Sequence, residues 1–194
     1  MQSSNLADSL DILQRFILAV IGAQRKAPIR ERLWLQKEIF LIANANKRLA
    51  DASGFSAHLQ GPFSEAVDAA LADLKSLGLV SYDDFGGHIY LTAAGSSAHE
   101  ILLRDMPKQV KDQVEDIKSS FNDLTENELL VFIYHSYPGM TEESVHLDKV
   151  KKNRIPASIS LYKKGKVSLE KAAQIAGMNI LEFRKLVGGE EHRP

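Results

Sequence analysis

Lys163, Lys164, Lys166 and Lys171, followed at short range by Asn179, Arg184 and Lys185, are the residues whose types and spacing point to chemistry in this 194-residue chain. That chemistry is recognition of a polyanion. Lysine ammonium groups meet phosphates regardless of sequence, while the planar groups of Asn179 and Arg184 can make paired hydrogen bonds to base edges. Lys149, Lys151, Lys152 and Arg154 lie upstream as further candidate phosphate contacts. From Lys149 to Pro194 eight Lys and three Arg stand against four Glu, a net +7. Met1 to Asp148 carries thirteen basic and twenty-one acidic residues, a net −8, so the total of −1 hides a dipolar chain. Such asymmetry suggests that the basic part meets nucleic acid, most simply double-stranded DNA, while the acidic part keeps the protein soluble. The plainer alternative is a solvated basic surface.

The elements needed to position these residues are legible around them. Ser168 suits the N-cap of one helix, with Glu170 favourable in its first turn. Ala172, Ala173 and Ala176 allow a close crossing, Gly177 supplies a left-handed turn, and Met178, Phe183 and Leu186 clamp a second helix that Gly188-Gly189 can end. The spacing predicts a helix-turn-helix that presents Asn179, Ile180, Leu181, Arg184 and Lys185 outward, with the lysines where phosphates run.

Leu161-Tyr162, Gly165-Lys166, Ser168, Ala172-Ala173 and Ala176-Gly177-Met178 resemble a small, largely archaeal, antitoxin-like family of unknown biochemistry. The likeness spans about residues 154 to 188 and implies a DNA-binding or partner-binding module of the toxin and antitoxin type. Ile180 and Leu181 are large and apolar on the face expected to read DNA, so a protein partner, a toxin or a second protomer is an alternative occupant. A purely structural helical hairpin is a third reading.

Upstream, Leu6, Leu10, Leu13, Ile17 and Val20 predict a helix over 5–22 that Gly22 ends, and residues 29–46 and 63–77 predict two more. Residues 79–83 and 88–92 form a hairpin across Asp84 to Gly87, and Thr92 caps a helix to about Arg104. This order outlines a winged helix. Leu35-Gln-Lys-Glu-Ile-Phe40, Gly61-Pro-Phe-Ser-Glu65, Leu74-Lys-Ser-Leu-Gly-Leu-Val80 and Tyr90-Leu-Thr-Ala-Ala-Gly95 are similar to phage-associated and antitoxin-like winged-helix families. Glu65, Asp68 and Asp73 face Lys75 alone on the third helix, a poor surface for phosphates. The winged helix is therefore expected to serve dimerisation or a partner.

Val110, Val114, Ile117, Phe121 and Leu124 form a two-repeat heptad stripe, which fits packing within the protomer or a dimer seam. Thr125-Glu-Asn-Glu128 is a capping box opening a helix to His135, whose stretch Leu129 to Tyr134 belongs in a core. Thr141 to Pro156 reads as a polar loop with a short helix. The expected division is a winged-helix domain over 1–105, bridging helices over 106–148 and the basic helix-turn-helix region over 149–194.

The fold class expected is mainly α: an N-terminal winged helix of helices plus one β-hairpin, a helical region and a C-terminal helix-turn-helix. The chain has no cysteine, which removes disulfides, thiolate metal sites and cysteine nucleophiles. None of His58, His88, His99, His135, His146 and His192 pairs at i, i+4, and no phosphate loop, nucleophile elbow or kinase signature is present. His135 reads as a packing residue and Trp34 as core. We expect neither enzymatic activity nor a metal or other cofactor. The expectation is a cytoplasmic DNA-binding transcriptional regulator or antitoxin-like component that gains from dimerisation, with no membrane contact.

Overall fold

The computed structural model describes residues 9–83, 87–142 and 144–188. Among them are ten helices and one two-stranded antiparallel sheet, so the protein is mainly α with a small β-hairpin. Contacts divide the chain into two compact units, Met1–Ser56 with Pro62–Asp123, and Ala57–Gly61 with Leu124–Pro194. The bridging part expected over 106–148 is not a part of its own, because its first helix packs into the first unit and the remainder opens the second.

The first unit is built around α1, Ile12–Lys26, which opens with a reciprocal capping box between Asp11 and Gln14. Residues 5–8 of the expected helix lie outside the described residues. Regular helical geometry stops at Gly22, where the sequence placed the end, and an irregular turn follows. Leu13 and Phe16 to Ala23 are buried, because α2 (Arg32–Ala43), α3 (Lys47–Ser53), α4 (Glu65–Ser76), α5 (Ala93–Asp105) and α6 (Lys108–Phe121) all pack on this one helix. The sequence reading missed α3, which Asn46 caps by accepting from the Leu49 N–H. It also began α2 too early. After Pro28, Ile29 exchanges two 2.8 Å backbone hydrogen bonds with Ile89 and joins the edge of the hairpin instead.

The hairpin pairs β1, Val80–Tyr82, with β2, Ile89–Leu91, in the register Val80 to Leu91 and Tyr82 to Ile89. Residues 84–86 of its expected turn lie outside the described residues. Thr92 caps α5 through the Gly95 N–H as expected, and its hydroxyl also donates to Gly78 O at 2.6 Å. Gly95 is there for space, since a Cβ at this position would fall 1.9 Å from Leu79 O.

The heptad stripe resolves toward the protomer: Val114 and Phe121 are buried by packing of α6 on α1 and α2, and Val110 and Ile117 are half-buried. Lys118, off that stripe, is nonetheless fully buried. Trp34 is core, at 2% exposure.

In the second unit α7, Glu126–Ser136, opens on the expected Thr125 and Glu128 capping box. The short segment Ala57–Gly61 belongs here, and Leu59 O accepts from Ser144 Oγ at 3.0 Å and from Val145 N at 3.1 Å. Of the stretch Thr141 to Pro156, expected as a loop with a short helix, the part from Leu147 onward is the start of a long one, α8, Leu147–Lys163, which continues through Pro156. Packing on α7 and α9 overrides the local signal there. The unit finishes with α9, Leu169–Ala176, and α10, Ile180–Gly188. No helix among the described residues is long and apolar enough to cross a membrane.

Candidate nucleic-acid interface

Two chain reversals with the same grammar build the basic region. At the end of α8 the Lys166 N–H donates to Leu161 O and the Gly165 N–H to Tyr162 O, both at 2.9 Å, with Gly165 at φ +66°. At the end of α9 the Met178 N–H donates to Ala173 O at 3.0 Å and the Gly177 N–H to Gln174 O at 3.1 Å, with Gly177 at φ +70°. Each is a Schellman closure, in which a left-handed glycine lets the last free carbonyls find donors. Each is followed at once by an N-cap. Ser168 accepts from Lys171 N, and Asn179 Oδ1 accepts from Glu182 N at 2.9 Å while Glu182 returns a carboxylate to Asn179 N at 3.3 Å.

Ala172, Ala173, Ala176, Phe183 and Val187 form the core between these helices, with Met178 and Ile180 packed against it. The rings of Tyr162 and Phe183 meet edge to face at 6.2 Å. Val187, rather than the expected Leu186, takes the buried place at the end of α10, and Leu186 is half-buried. Phe183 and Val187 fix the inner face. Leu181, Arg184 and Lys185, at i, i+3 and i+4, therefore share the exposed face.

Residues 139–191 match the model of an uncharacterised protein family, UPF0175. No curated protein and no solved structure matches the chain. The UPF0175-like region covers α8, α9 and α10 whole.

Inside this UPF0175-like region Arg184, Lys185, Lys151, Lys152 and Lys163 are exposed, and Lys166 is half-buried. Four more of the expected basic residues make defined contacts within the unit. Lys149 pairs with Glu126 at 3.0 Å. Lys164 pairs at 2.8 Å with Glu128, which is itself buried. Burial opposes the charge on Glu128, but hydrogen bonds from Lys164, Ser160 and Thr125 outweigh it and hold the carboxyl at about 2. Lys171 lies over the Phe132 ring at 5.8 Å. Arg154, expected at phosphates, turns inward: Nε donates to Ile175 O and Nη2 to Gln174 O at 3.2 Å, closing the C-terminus of α9.

Two outward assignments also change. Asn179 is committed through Oδ1 to capping α10, and this removes the acceptor half of the paired bond expected at a base edge. Ile180 packs on the alanine core, so Leu181, at 63% exposure, is the apolar residue left on the outer face. His135 behaves as a packing residue. Its Nδ1 lies 2.9 Å from Val131 O, and burial holds its pKa below the ordinary histidine value.

The sequence reading missed the roles of Glu128 and Arg154 beyond their immediate neighbours. Their partners lie thirty-six and about twenty residues away in sequence, at Lys164 and at Gln174 and Ile175. One signal was available: Arg154 is a lone guanidinium on a face of α8 otherwise spaced by buried Val150, Ala157 and Leu161.

Proposed function

We propose that the α8 to α10 region binds double-stranded DNA as a helix-turn-helix, and that the protein is a nonenzymatic transcriptional regulator or antitoxin-like component. The observation that carries this reading is the outer face of α10. Arg184 and Lys185 stand exposed there on a helix whose inner face is anchored by Phe183 and Val187. Arg184 reads a base edge, and Leu181 beside it suits contact with a thymine methyl group. Lys151, Lys152, Lys163 and Lys166 supply phosphate contacts that hold the register. The first unit, with the helix and hairpin order of a winged helix and an acidic α4, serves dimerisation or a partner. Its Asp68 already engages Arg32 and Gln36 within the unit. Pairing two protomers would let two short helices act on one site.

The second reading rests on Leu181 alone: an exposed leucine at the end of a basic region also fits an antitoxin or adaptor that docks on a partner protein.

The test is fluorescence polarisation of the whole protein on a random-sequence duplex at low and physiological salt. Phosphate contacts release counterions, so affinity should fall steeply with salt, and replacing Lys151 and Lys152 with Ala should reduce the log–log slope by about 2. Replacing Arg184 with Ala should relax sequence preference, measured by selection from a random pool, with less change in salt response. No binding at low salt sinks the DNA reading.

A further inference from the structure

The segment that leaves α1 adopts a conformation that needs outside support. Gln24, Arg25 and Lys26 have consecutive φ values of +51°, +54° and +65°, a left-handed run of residues with side chains. Such residues enter this region singly and rarely, and persist there when the surroundings hold them. Here α6 holds them with a polar stripe at i, i+3 and i+7. Glu115 accepts from the Gln24 N–H at 2.8 Å. Asn122 donates to Pro28 O at 2.8 Å and accepts from the Arg30 N–H at 3.3 Å. Between them Lys118, fully buried, donates to Ile21 O at 2.8 Å, Ala23 O at 3.1 Å and Ala27 O at 2.5 Å.

An ammonium group has three protons, and all three are committed to these carbonyls. That matters for Glu38 on α2, a helix that packs against α6. Glu38 is fully buried, and neither of its carboxyl oxygens has a hydrogen-bond partner among the described residues. A buried carboxylate without a single donor is among the costliest groups a protein can hold, so the carboxyl keeps its proton. Burial pushes Glu38 well above the usual carboxylate range, against the opposing charge of Lys118. Lys118 is pulled down to about 8 by burial, against Glu38 and Glu115.

Other titratable groups bear on the pair. On α5, His99 is held below its ordinary value by burial and by Lys26 and Lys118, with Glu100 and Glu115 opposing. On Glu38's own helix, Lys37 is lowered to about 7 by burial and donates to Pro62 O at 2.8 Å.

We infer that Glu38 and Lys118 form a proton-operated latch on the turn Ala23 to Ala27. With Glu38 protonated, Lys118 gives one proton to Ile21 O at the end of α1 and two to the turn, at Ala23 O and Ala27 O, and holds it closed. When Glu38 releases its proton to water, the new carboxylate draws Lys118 off the carbonyls and the turn opens. Two residues on, Ile29 is bonded to Ile89 on β2, so opening also loosens the outer edge of the hairpin. The latch belongs to the first unit and does not depend on what the basic region binds.

Arg25 and Lys26 are exposed and provide the readout. Trypsin cleaves after either residue only when the turn opens, and the rate tracks the open population when reclosing is fast. The whole protein is digested from pH 5 to pH 9, and each rate at this turn is divided by that of an unstructured peptide of the same local sequence. Wild type should show relative cleavage rising by up to about tenfold per pH unit through the Glu38 transition, the limit for one released proton. The carboxyl carbon of Glu38, followed by NMR, should titrate with the same midpoint. In Glu38→Gln, and in Glu38→Met as a second variant, the Glu38 transition should vanish and the rise should instead follow the deprotonation of Lys118 alone, at a midpoint different from wild type. Lys118→Met should be cut rapidly at every pH. A flat wild-type profile, or the same midpoint in wild type and the Glu38 variants, overturns the latch.

Discussion

Arg154 and Gly177 act as one device. The guanidinium closes the free carbonyls of Gln174 and Ile175, and it can reach them because nothing projects from residue 177: a Cβ there would sit 2.6 Å from the Arg154 Cζ. Gly165, at a nearly equal φ, has open space around it. The two glycines therefore separate backbone preference from packing. Gly165→Ala should cost about 1 kcal/mol, the left-handed penalty alone. Gly177→Ala should cost about 2–4 kcal/mol, because Arg154 must also leave its carbonyls. Chemical denaturation of the two variants measures the difference. Equal losses would show that Arg154 contributes nothing to the reversal that aims α10.

Among the elements, α8 is the one whose sequence argues against its own structure. Proline in a helix interior removes a hydrogen bond and crowds the preceding turn, at about 3 kcal/mol. Pro156 nevertheless lies inside a seventeen-residue helix, exposed. Burial of Val150, Ala157 and Leu161, with Lys164 locked to Glu128, offsets that cost. Pro156→Ala should then raise stability by about 1–3 kcal/mol and Tm by roughly 2–4 °C per kcal/mol, read by thermal melting. A fall in Tm would mean that the ring itself is needed in the packing.

The same helix shows what a sequence reveals and what it conceals. Caps are local, so Ser168, Gly177, Thr92 and the Thr125–Glu128 box could be read directly, as could the hairpin. The motif Leu35-Gln-Lys was visible as a pattern but not as a cause. Gln36 grips the Ser64 backbone in both directions, at 3.1 and 2.9 Å, and Lys37 holds Pro62 O. Those contacts join segments more than twenty residues apart, and periodicity carries no such information. For the same reason the heptad stripe carries no sign that Lys118, which lies off it, is buried. At the candidate interface, composition identified the region, but only the fold showed that Arg154, Lys164 and Asn179 support it from within.

Across the whole molecule, the two units place opposite demands on pH through two buried glutamates. Glu128 accepts four hydrogen bonds from its surroundings, and its pKa is lowered to about 2. A carboxyl lowered on folding contributes stability that is present above its unfolded value of about 4.5 and disappears as pH falls toward 2. Glu38 has no donor among the described residues, and its pKa is raised. Its contribution is fully present below about 4.5 and is lost as pH rises through the folded value. Acidification from pH 6 to pH 3 should therefore weaken the second unit while sparing Glu38's share of the first. The sole tryptophan, Trp34, is buried in the first unit and reports on it alone by fluorescence, whereas far-UV circular dichroism reports on both. At pH 3 the circular-dichroism transition in urea should begin at lower denaturant than the Trp34 transition. Glu128→Gln should cost about 2 kcal/mol at pH 6 and much less at pH 3, since protonation has by then removed much of what the substitution removes. Glu38→Gln should leave stability nearly unchanged at pH 4 and raise it at pH 8. Curves for both variants that run parallel to wild type across this range would show that neither carboxyl changes its affinity for protons on folding.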